Sequence, residues 1–375
     1  MNRAGGFMKA LSGELEYEAY KPKKLPPSPN INMDNDMVKA LVEAHGLLSR
    51  LDTMADLLPD RDLFLGAEVR KEALLSSQIE GTQATMEDIL SPNSEKSANL
   101  EVDDVVNYVD GLNFAIRELR SLPISKRLLC STHAVLMKGV RGEEKSPGEF
   151  RRSQNWIGGA GGSLKNARYI PPTADDMLDG MSDLERYINE DRSNPLLKAA
   201  LAHYQFETIH PFLDGNGRIG RMLITLMLLS EGEIKNPILY MSLFLKGNRV
   251  EYYDRLSEVR KSGDYEQWVL FFLGGVSSTC RDGIDEIGKI SSLIEEDTKK
   301  TLKARSNTRK VYGYLKEHPI IDIKTTAKAL GLSFNTVSSA LSQLSDLGIA
   351  EKMGNEKRGR LYSYAKYVEI LKAGT

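Results

Sequence analysis

The sequence predicts a mainly α-helical protein with a small β-hairpin excursion and a separate C-terminal unit that reads helix, helix, helix, wing. Three observations predict it. Apolar residues recur at helical spacing along most of the chain before about residue 300. The stretch from Phe150 to Pro172 breaks that pattern with short β-friendly pieces around a Gly-rich tip. The charge then changes sign: from Arg305 to Thr375 twelve basic residues stand against six acidic ones, a net of +6, which leaves −8 on the rest of a chain whose total is −2.

In order along the chain, Tyr20 to Asn30 (YKPKKLPPSPN) holds four prolines, which remove backbone donors and favour an extended arm. After it, Asp34 or Asn35 can cap a helix with apolar residues at Met37, Leu41, Leu47, Leu48 and Leu51. Leu63–Glu80 mixes Leu, Ala, Glu, Lys and Gln, all good helix formers. Helical signals continue at Val102–Leu119, Leu128–Lys138, Met177–Asn189, Pro195–Ile209, Ile219–Leu229 and Tyr252–Leu273. The hairpin-like excursion carries Gly158, Gly159, Gly161 and Gly162 and closes on Tyr169-Ile170-Pro171-Pro172. In the tail, Val311, Tyr312, Tyr314 and Leu315 make one apolar face, Ile323–Ser333 a second helix with its tight turn, Asn335–Leu347 a third, and Gly354–Arg360 a basic turn. That order is a winged helix-turn-helix, in which the third helix would meet a major groove and Lys357, Arg358 and Arg360 its phosphates. The third helix has Ser, Asn, Thr and Gln but no Lys or Arg, so a dimerisation or protein-docking use stands beside DNA binding.

A chain of 375 residues, 41% hydrophobic, has room for two or three domains with real cores. With 50 Lys+Arg against 52 Asp+Glu there is no overall field toward nucleic acid or membrane. The longest strongly apolar run, Met222–Leu229, is far short of the roughly 20 residues that span a bilayer, and the N-terminus lacks an apolar signal core. A cytoplasmic protein without membrane contact is the expectation. Cys130 and Cys280 lie far apart with no metal-ligand pattern, so both are read as ordinary thiols.

The chemistry concentrates in His210-Pro211-Phe212-Leu213-Asp214-Gly215-Asn216-Gly217-Arg218-Ile219-Gly220-Arg221. Pro211 disfavours helical geometry at His210, so the helix before it ends there. Two glycines and an Asn then permit a tight loop into the next helix, whose free N–H groups and dipole favour an anion. Arg218 and Arg221, three apart, add two cations on one face. Gly215-Asn216-Gly217-Arg218-Ile219-Gly220 also fits the dinucleotide fingerprint, but that motif needs a preceding strand and here Lys198–Ile209 reads as helix.

This twelve-residue stretch resembles, without a mismatch, the signature of the Fic (filamentation induced by cAMP) family, most of whose members transfer AMP from ATP to a hydroxyl side chain of a protein. Gly148-Glu149-Phe150-Arg151, Trp156-Ile157-Gly158-Gly159 and Tyr169-Ile170-Pro171-Pro172 resemble the family's target-docking flap, and Asn248-Arg249 through Tyr253 its region behind the nucleotide. The resemblance implies an all-helical Fic core at 126–295, preceded at 1–125 by an arm and helical region and followed at 305–375 by the winged helix. It implies His210 as general base, Asp214 as the Mg²⁺ ligand, Gly215 to Gly217 with the Asn216 side chain as phosphate cradle, and Arg218 and Arg221 on the β- and γ-phosphates. Ile219 and Gly220 belong to the same ATP-binding stretch, and Asn248 would contact the adenosine end. Phe212 reads as a core anchor of the loop. Gly217 stands where a kinase-like toxin group has Lys, which favours AMP transfer.

Ser76-Ser77-Gln78-Ile79-Glu80-Gly81 is similar to the family's inhibitory helix motif, Ser-x-x-x-Glu-Gly. Ser76 and Glu80 share one helical face, with Gly81 as a C-cap. A carboxylate at the negative end of a helix dipole needs a compensating partner, and Arg221 is the one expected, with Glu80 taking the place of the γ-phosphate. The expectation is therefore an autoinhibited protein adenylyltransferase using ATP and Mg²⁺. It would modify itself and a target docked by strand addition on the 150–172 flap, with a homodimer by resemblance. Removal of AMP from a modified protein, and a transcription regulator that senses nucleotide, are the rival readings.

Overall fold

The computed structural model describes residues 2–11, 16–58, 61–92, 99–139, 144–158, 164–354 and 360–375. An antiparallel pair, β1 (Gly5–Ala10) and β2 (Tyr17–Pro22), opens the chain. Helices follow: α1 (Asn35–Asp56), α2 (Arg61–Ile79), the short α3 (Met86–Leu90), α4 (Leu100–Glu118), α5 (Lys126–Leu136), α6 (Ala174–Glu190), α7 (Pro195–Ile209), α8 (Asn216–Ser230), the short α9 (Ser242–Gly247), α10 (Arg249–Ser262) and α11 (Tyr265–Thr301). The C-terminal unit runs α12 (Ser306–Glu317), β3 (Ile320–Asp322), α13 (Ile323–Leu330), α14 (Phe334–Asp346), β4 (Glu351–Met353), β5 (Leu361–Ser363) and α15 (Ala365–Lys372), its strands forming an antiparallel sheet of order β3-β5-β4. Among the described residues no helix is long and apolar enough to cross a membrane. Cys130 and Cys280 are both free thiols.

Local signals set the helix ends. Asp34 caps α1 by accepting the N–H groups of Asp36 and Met37, and Met37, Ala44, Leu48, Leu51 and Ala55 line its buried face. Asn194 caps α7 with Pro195 in its first turn, where a missing N–H costs nothing. The single helix expected over Tyr252–Leu273 is two. Gly263 takes left-handed backbone, φ 79°, at the end of α10, and Asp264 caps α11 by accepting the Gln267 N–H. α11 then continues past residue 295 to Thr301.

The pair β1–β2 has no counterpart in the expected arm beyond Tyr20–Pro22, because β1 carries no alternating buried face: Phe7 and Met8 are both exposed. The 150–172 excursion is less regular than the hairpin expected. Its described part holds one bridge, Ile157 to Tyr169, and a 3₁₀ turn at Leu164–Asn166. The tip glycines Gly159, Gly161 and Gly162, and Lys357 and Arg358 of the basic turn, lie outside the described residues.

Two arrangements position the site. α2 is buried on nearly every side, packing on α4, α9, α1, α8 and α15, so its last turn is held against the start of α8. α7 packs on α8, and His203 joins them: Nδ1–H donates to the Gly220 carbonyl (2.8 Å) and Nε2 accepts from the Tyr252 hydroxyl (2.9 Å). Trp268, against the same imidazole, donates to the Ala200 carbonyl at 2.8 Å.

Burial pulls His203 down to about 4 from the usual 6.5. Between those values the unfolded chain binds the extra proton, so the stability due to neutral His203 is complete above about pH 6.5 and is lost as pH falls toward 4, at up to about 1.4 kcal/mol per pH unit. Urea unfolding at about pH 7 and about pH 5 should show the advantage of wild type over His203→Gln shrinking by about 2 kcal/mol. An advantage that does not change with pH would contradict this assignment.

Candidate active site

α7 ends where Pro211 forbids a further turn. His210 adopts left-handed backbone, φ 52° and ψ 62°, a region costly for a residue with a Cβ. Neighbours hold it there. Its N–H donates to the Phe206 carbonyl (2.9 Å), and its carbonyl accepts from Arg151 Nε (3.0 Å) and Asn155 Nδ2 (3.3 Å). Arg151 also donates to the carbonyls of Ser153 and Pro172, and burial lowers its pKa to about 10. A cation at the carbonyl end of α7 is favourably placed in the dipole.

Beyond His210, Phe212 is fully buried and stacks on His133, centroids 3.9 Å apart and planes 5° apart. Asn216 closes the loop: its Oδ1 accepts the Phe212 N–H and its Nδ2 donates to the Phe212 carbonyl, both at 2.8 Å. The side chain expected in a phosphate cradle braces the loop in this way. Gly215, φ 74°, turns the chain into α8, which has no side-chain cap, leaving anion recognition to its first N–H groups. Ile219 points into the core, and Gly220 leaves room for Glu207, whose Oε1 a Cβ there would strike.

The two arginines go separate ways. Arg221, 2% exposed, donates from Nε to Ser76 Oγ (2.8 Å), and from its NH2 nitrogen to the Ser76 carbonyl (2.9 Å) and to Glu80 Oε1 (2.7 Å). The pairing of Glu80 with Arg221 expected from the sequence is present. Glu80 lies just past the end of α2, where Gly81 takes φ 104°. Its carboxylate rests over Gly217, where a Cβ would overlap it. Arg218, expected beside Arg221 on phosphate, faces Asp104 on α4 (3.4 Å) and Met137 Sδ (3.3 Å). Three residues are 300° around a helix, and the remaining 60° is enough to turn one fork to α4 and the other to α2.

His210 Nδ1 is buried without a hydrogen-bond partner, 3.9 Å from Glu207 Oε2. Burial pushes the Glu207 carboxyl up to about 7, against the pull of Arg221, and pushes the His210 imidazole down to about 4. On the other side of the loop, Asp214 accepts the Gly215 N–H on Oδ1 (2.6 Å) and Lys145 Nζ on Oδ2 (2.8 Å). Its carbonyl meets His133 Nε2 (3.0 Å), whose Nδ1 accepts the Gly148 N–H (2.8 Å), so the His133 proton is on Nε2. Burial raises the Asp214 carboxyl, but Lys145, the Gly215 N–H and Arg218 outweigh it and hold it below its usual value. Among the described residues no group of three His, Cys, Asp or Glu gathers as a metal cluster. Asp214 can offer a hard cation a carboxylate oxygen, with phosphate and water supplying the rest.

Asn248 lies between α9 and α10, where its Nδ2 donates to the Phe244 carbonyl (2.9 Å). The flap leans on the same scaffold: Tyr169 donates to the Thr208 carbonyl (2.7 Å), and the Tyr20 N–H of β2 to the Ile170 carbonyl (3.0 Å). The sequence reading passed over Glu207, His133, Lys145 and Asp104. Only Glu207, one turn before His210, had a local signal in its spacing.

Residues 123–228 match the model of the Fic/DOC family and residues 38–117 that of the Fic/DOC family N-terminal region. A protein adenylyltransferase Fic of Culex quinquefasciatus is 38% identical over 177 residues, 45% of this chain and 32% of that protein. One of Drosophila melanogaster is 31% identical over 255 residues, 63% of this chain and 47% of its own length. The chain thus spans about a third to a half of these curated relatives. Among solved structures, a Fic family protein from Desulfovibrio desulfuricans G20 aligns with TM-score 0.59 and 19% identity over 89% of this chain and 97% of that one. A Fic domain containing signaling protein from Bacteroides thetaiotaomicron VPI-5482 gives 0.51 and 18% over 65% and 95%. These two likenesses speak to the fold. Residues 38–117 and 123–228 thus carry the N-terminal and Fic/DOC regions of the Fic/DOC family in tandem, meeting around the loop from His210 to Arg221.

Proposed function

We propose that the chain is an autoinhibited protein adenylyltransferase that moves AMP from ATP to a Ser, Thr or Tyr hydroxyl of a target protein and of itself. The observation that carries this reading is the meeting of His210, the uncapped start of α8 and Arg221 in one braced turn, with Glu80 already on the arginine at 2.7 Å. The named relatives support the transferase class.

In the reaction, the target oxygen forms a bond to the α-phosphorus of ATP, the bond from that phosphorus to the bridging oxygen breaks, and diphosphate leaves. His210 takes the hydroxyl proton. Its Nδ1 faces buried Glu207, so Nε2 is the nitrogen that receives it, and an imidazole pushed down to about 4 is unprotonated at neutral pH. N–H groups of Gly217 and its neighbours, together with Arg221, would hold the phosphates. Mg²⁺ on Asp214 would neutralise developing phosphate charge. Asn248 is the proposed contact at the adenosine end.

In the resting state Glu80 would hold the γ-phosphate's place on Arg221, so ATP would bind in a pose unfit for in-line attack. Glu80→Gly should raise incorporation of label from α-labelled ATP into the protein by about tenfold or more, the worth of one charge-assisted hydrogen bond. Unchanged labelling would sink the brake. His210→Ala in that background should lose about 10²–10⁴. Normal labelling would sink the base. Glu80 is partly solvent-exposed, which favours a second reading in which it positions water to release AMP; AMPylated protein incubated without ATP separates the two.

Targets would dock on the 150–172 flap. The C-terminal unit is taken as a winged helix within domains at 1–125, 126–295 and 305–375 of a cytoplasmic homodimer. The exposed residues of α14 include Phe334, Asn335, Ser339 and Ser342 but no base, which supports protein docking over DNA. A mobility shift with duplex DNA should then show no retardation at about 0.15 M salt. Retardation that persists there would restore the DNA reading.

A further inference from the structure

Both charged halves of the site are already paired with opposite charges from the chain: Arg221 with Glu80 at 2.7 Å, and Asp214 with Lys145 at 2.8 Å. We infer that Lys145 is the resident counter-charge of the cation half, its ammonium holding the place on Asp214 that a divalent cation takes, so that Lys145 sets the cation concentration at which the site loads. The inference rests on the reading of Asp214 as the cation ligand.

The geometry leaves one exchangeable position. Asp214 Oδ1 is tied to the Gly215 N–H (2.6 Å), and the residue's carbonyl is tied to His133 (3.0 Å). The carboxylate cannot swing away while the loop keeps its form, so Oδ2 is the oxygen that must change partner. Its partner is a cation on a flexible stem, 44% exposed. A displaced ammonium therefore passes into water and regains its hydration. Among the described residues no group of three His, Cys, Asp or Glu gathers here to add negative charge. Lys145 acts twice against a metal: it covers the ligand oxygen and it repels a second cation nearby.

An exposed pair of this kind is worth up to about a fivefold change in an equilibrium. The test is Mn²⁺ binding to the full chain without nucleotide, followed by the electron paramagnetic resonance signal of free Mn²⁺. Lys145→Met should lower the Mn²⁺ dissociation constant about fivefold. Lys145→Arg, which keeps the charge, should stay within about twofold of wild type, and Lys145→Gln serves where Met perturbs folding. Asp214→Asn added to Lys145→Met should abolish the gain. Mn²⁺ affinity in Lys145→Met and Lys145→Gln no better than wild type overturns the inference. If Asp214→Asn alone weakens Mn²⁺ binding in that case, the reading of Asp214 survives. A gain that persists with Asp214→Asn present overturns both.

Discussion

The buried guanidinium of Arg221 is the constraint around which the rest is arranged. A charge this far from water is tolerable only when its donors are matched, and on the described chain the match comes from one place, the last turn of α2 and the residue just after it. Ser76 supplies its hydroxyl and its carbonyl, and Glu80 its carboxylate. Ser76 is itself fully buried, whereas Glu80 keeps a wet edge. The two contributions therefore differ in kind. The serine bonds form part of the packed interior and persist with α2, while the glutamate is a partner that another anion could replace without opening the core.

Rigidity on the other side of the mouth has a separate source. His210 holds an unfavourable backbone because Arg151 and Asn155 converge on its carbonyl and Asn216 locks the next turn. None of these three side chains faces the reacting space through these bonds. They hold the imidazole in a fixed position through hydrogen bonds to the backbone around it. His203 and Trp268 extend the same logic one layer down, tying α7 to the Gly220 carbonyl of α8 and to α10 and α11.

Where the sequence was legible, a local rule was decisive. Asp34 accepts N–H groups of its own first turn and Pro211 bars a further turn after His210, so α1 begins and α7 ends where those residues require. The pairing of Ser76 and Glu80 was legible because helical spacing puts both on one face. Where partners come from a distant element, spacing alone could not decide. Arg218 and Arg221 look equivalent in sequence, yet α4 presents Asp104 to one and α2 presents Glu80 to the other. Asn216 looks like a ligand for phosphate in the sequence, and its bonds to the carbonyl and N–H of Phe212 come from the fold of the loop, which spacing does not show. Lys145 and His133 reach Asp214 from a loop and from α5, with no periodicity to announce them. Gly263 was a stop inside a good helical pattern, and the pattern outweighed it in reading.

The pair formed by His210 and Glu207 shows how the site limits its own charge. In water a histidine and a glutamate at this spacing would ionise toward each other. Here each is pushed toward neutrality, the glutamate to about 7 and the histidine to about 4, with burial the leading cause for both. At 3.9 Å with no further hydrogen bond on His210 Nδ1 or Glu207 Oε1, an ion pair would return less than its desolvation costs. The charges around the mouth stand in three pairs, Glu80 with Arg221, Asp104 with Arg218 and Lys145 with Asp214. The imidazole between them stays neutral, with its proton-accepting capacity unspent.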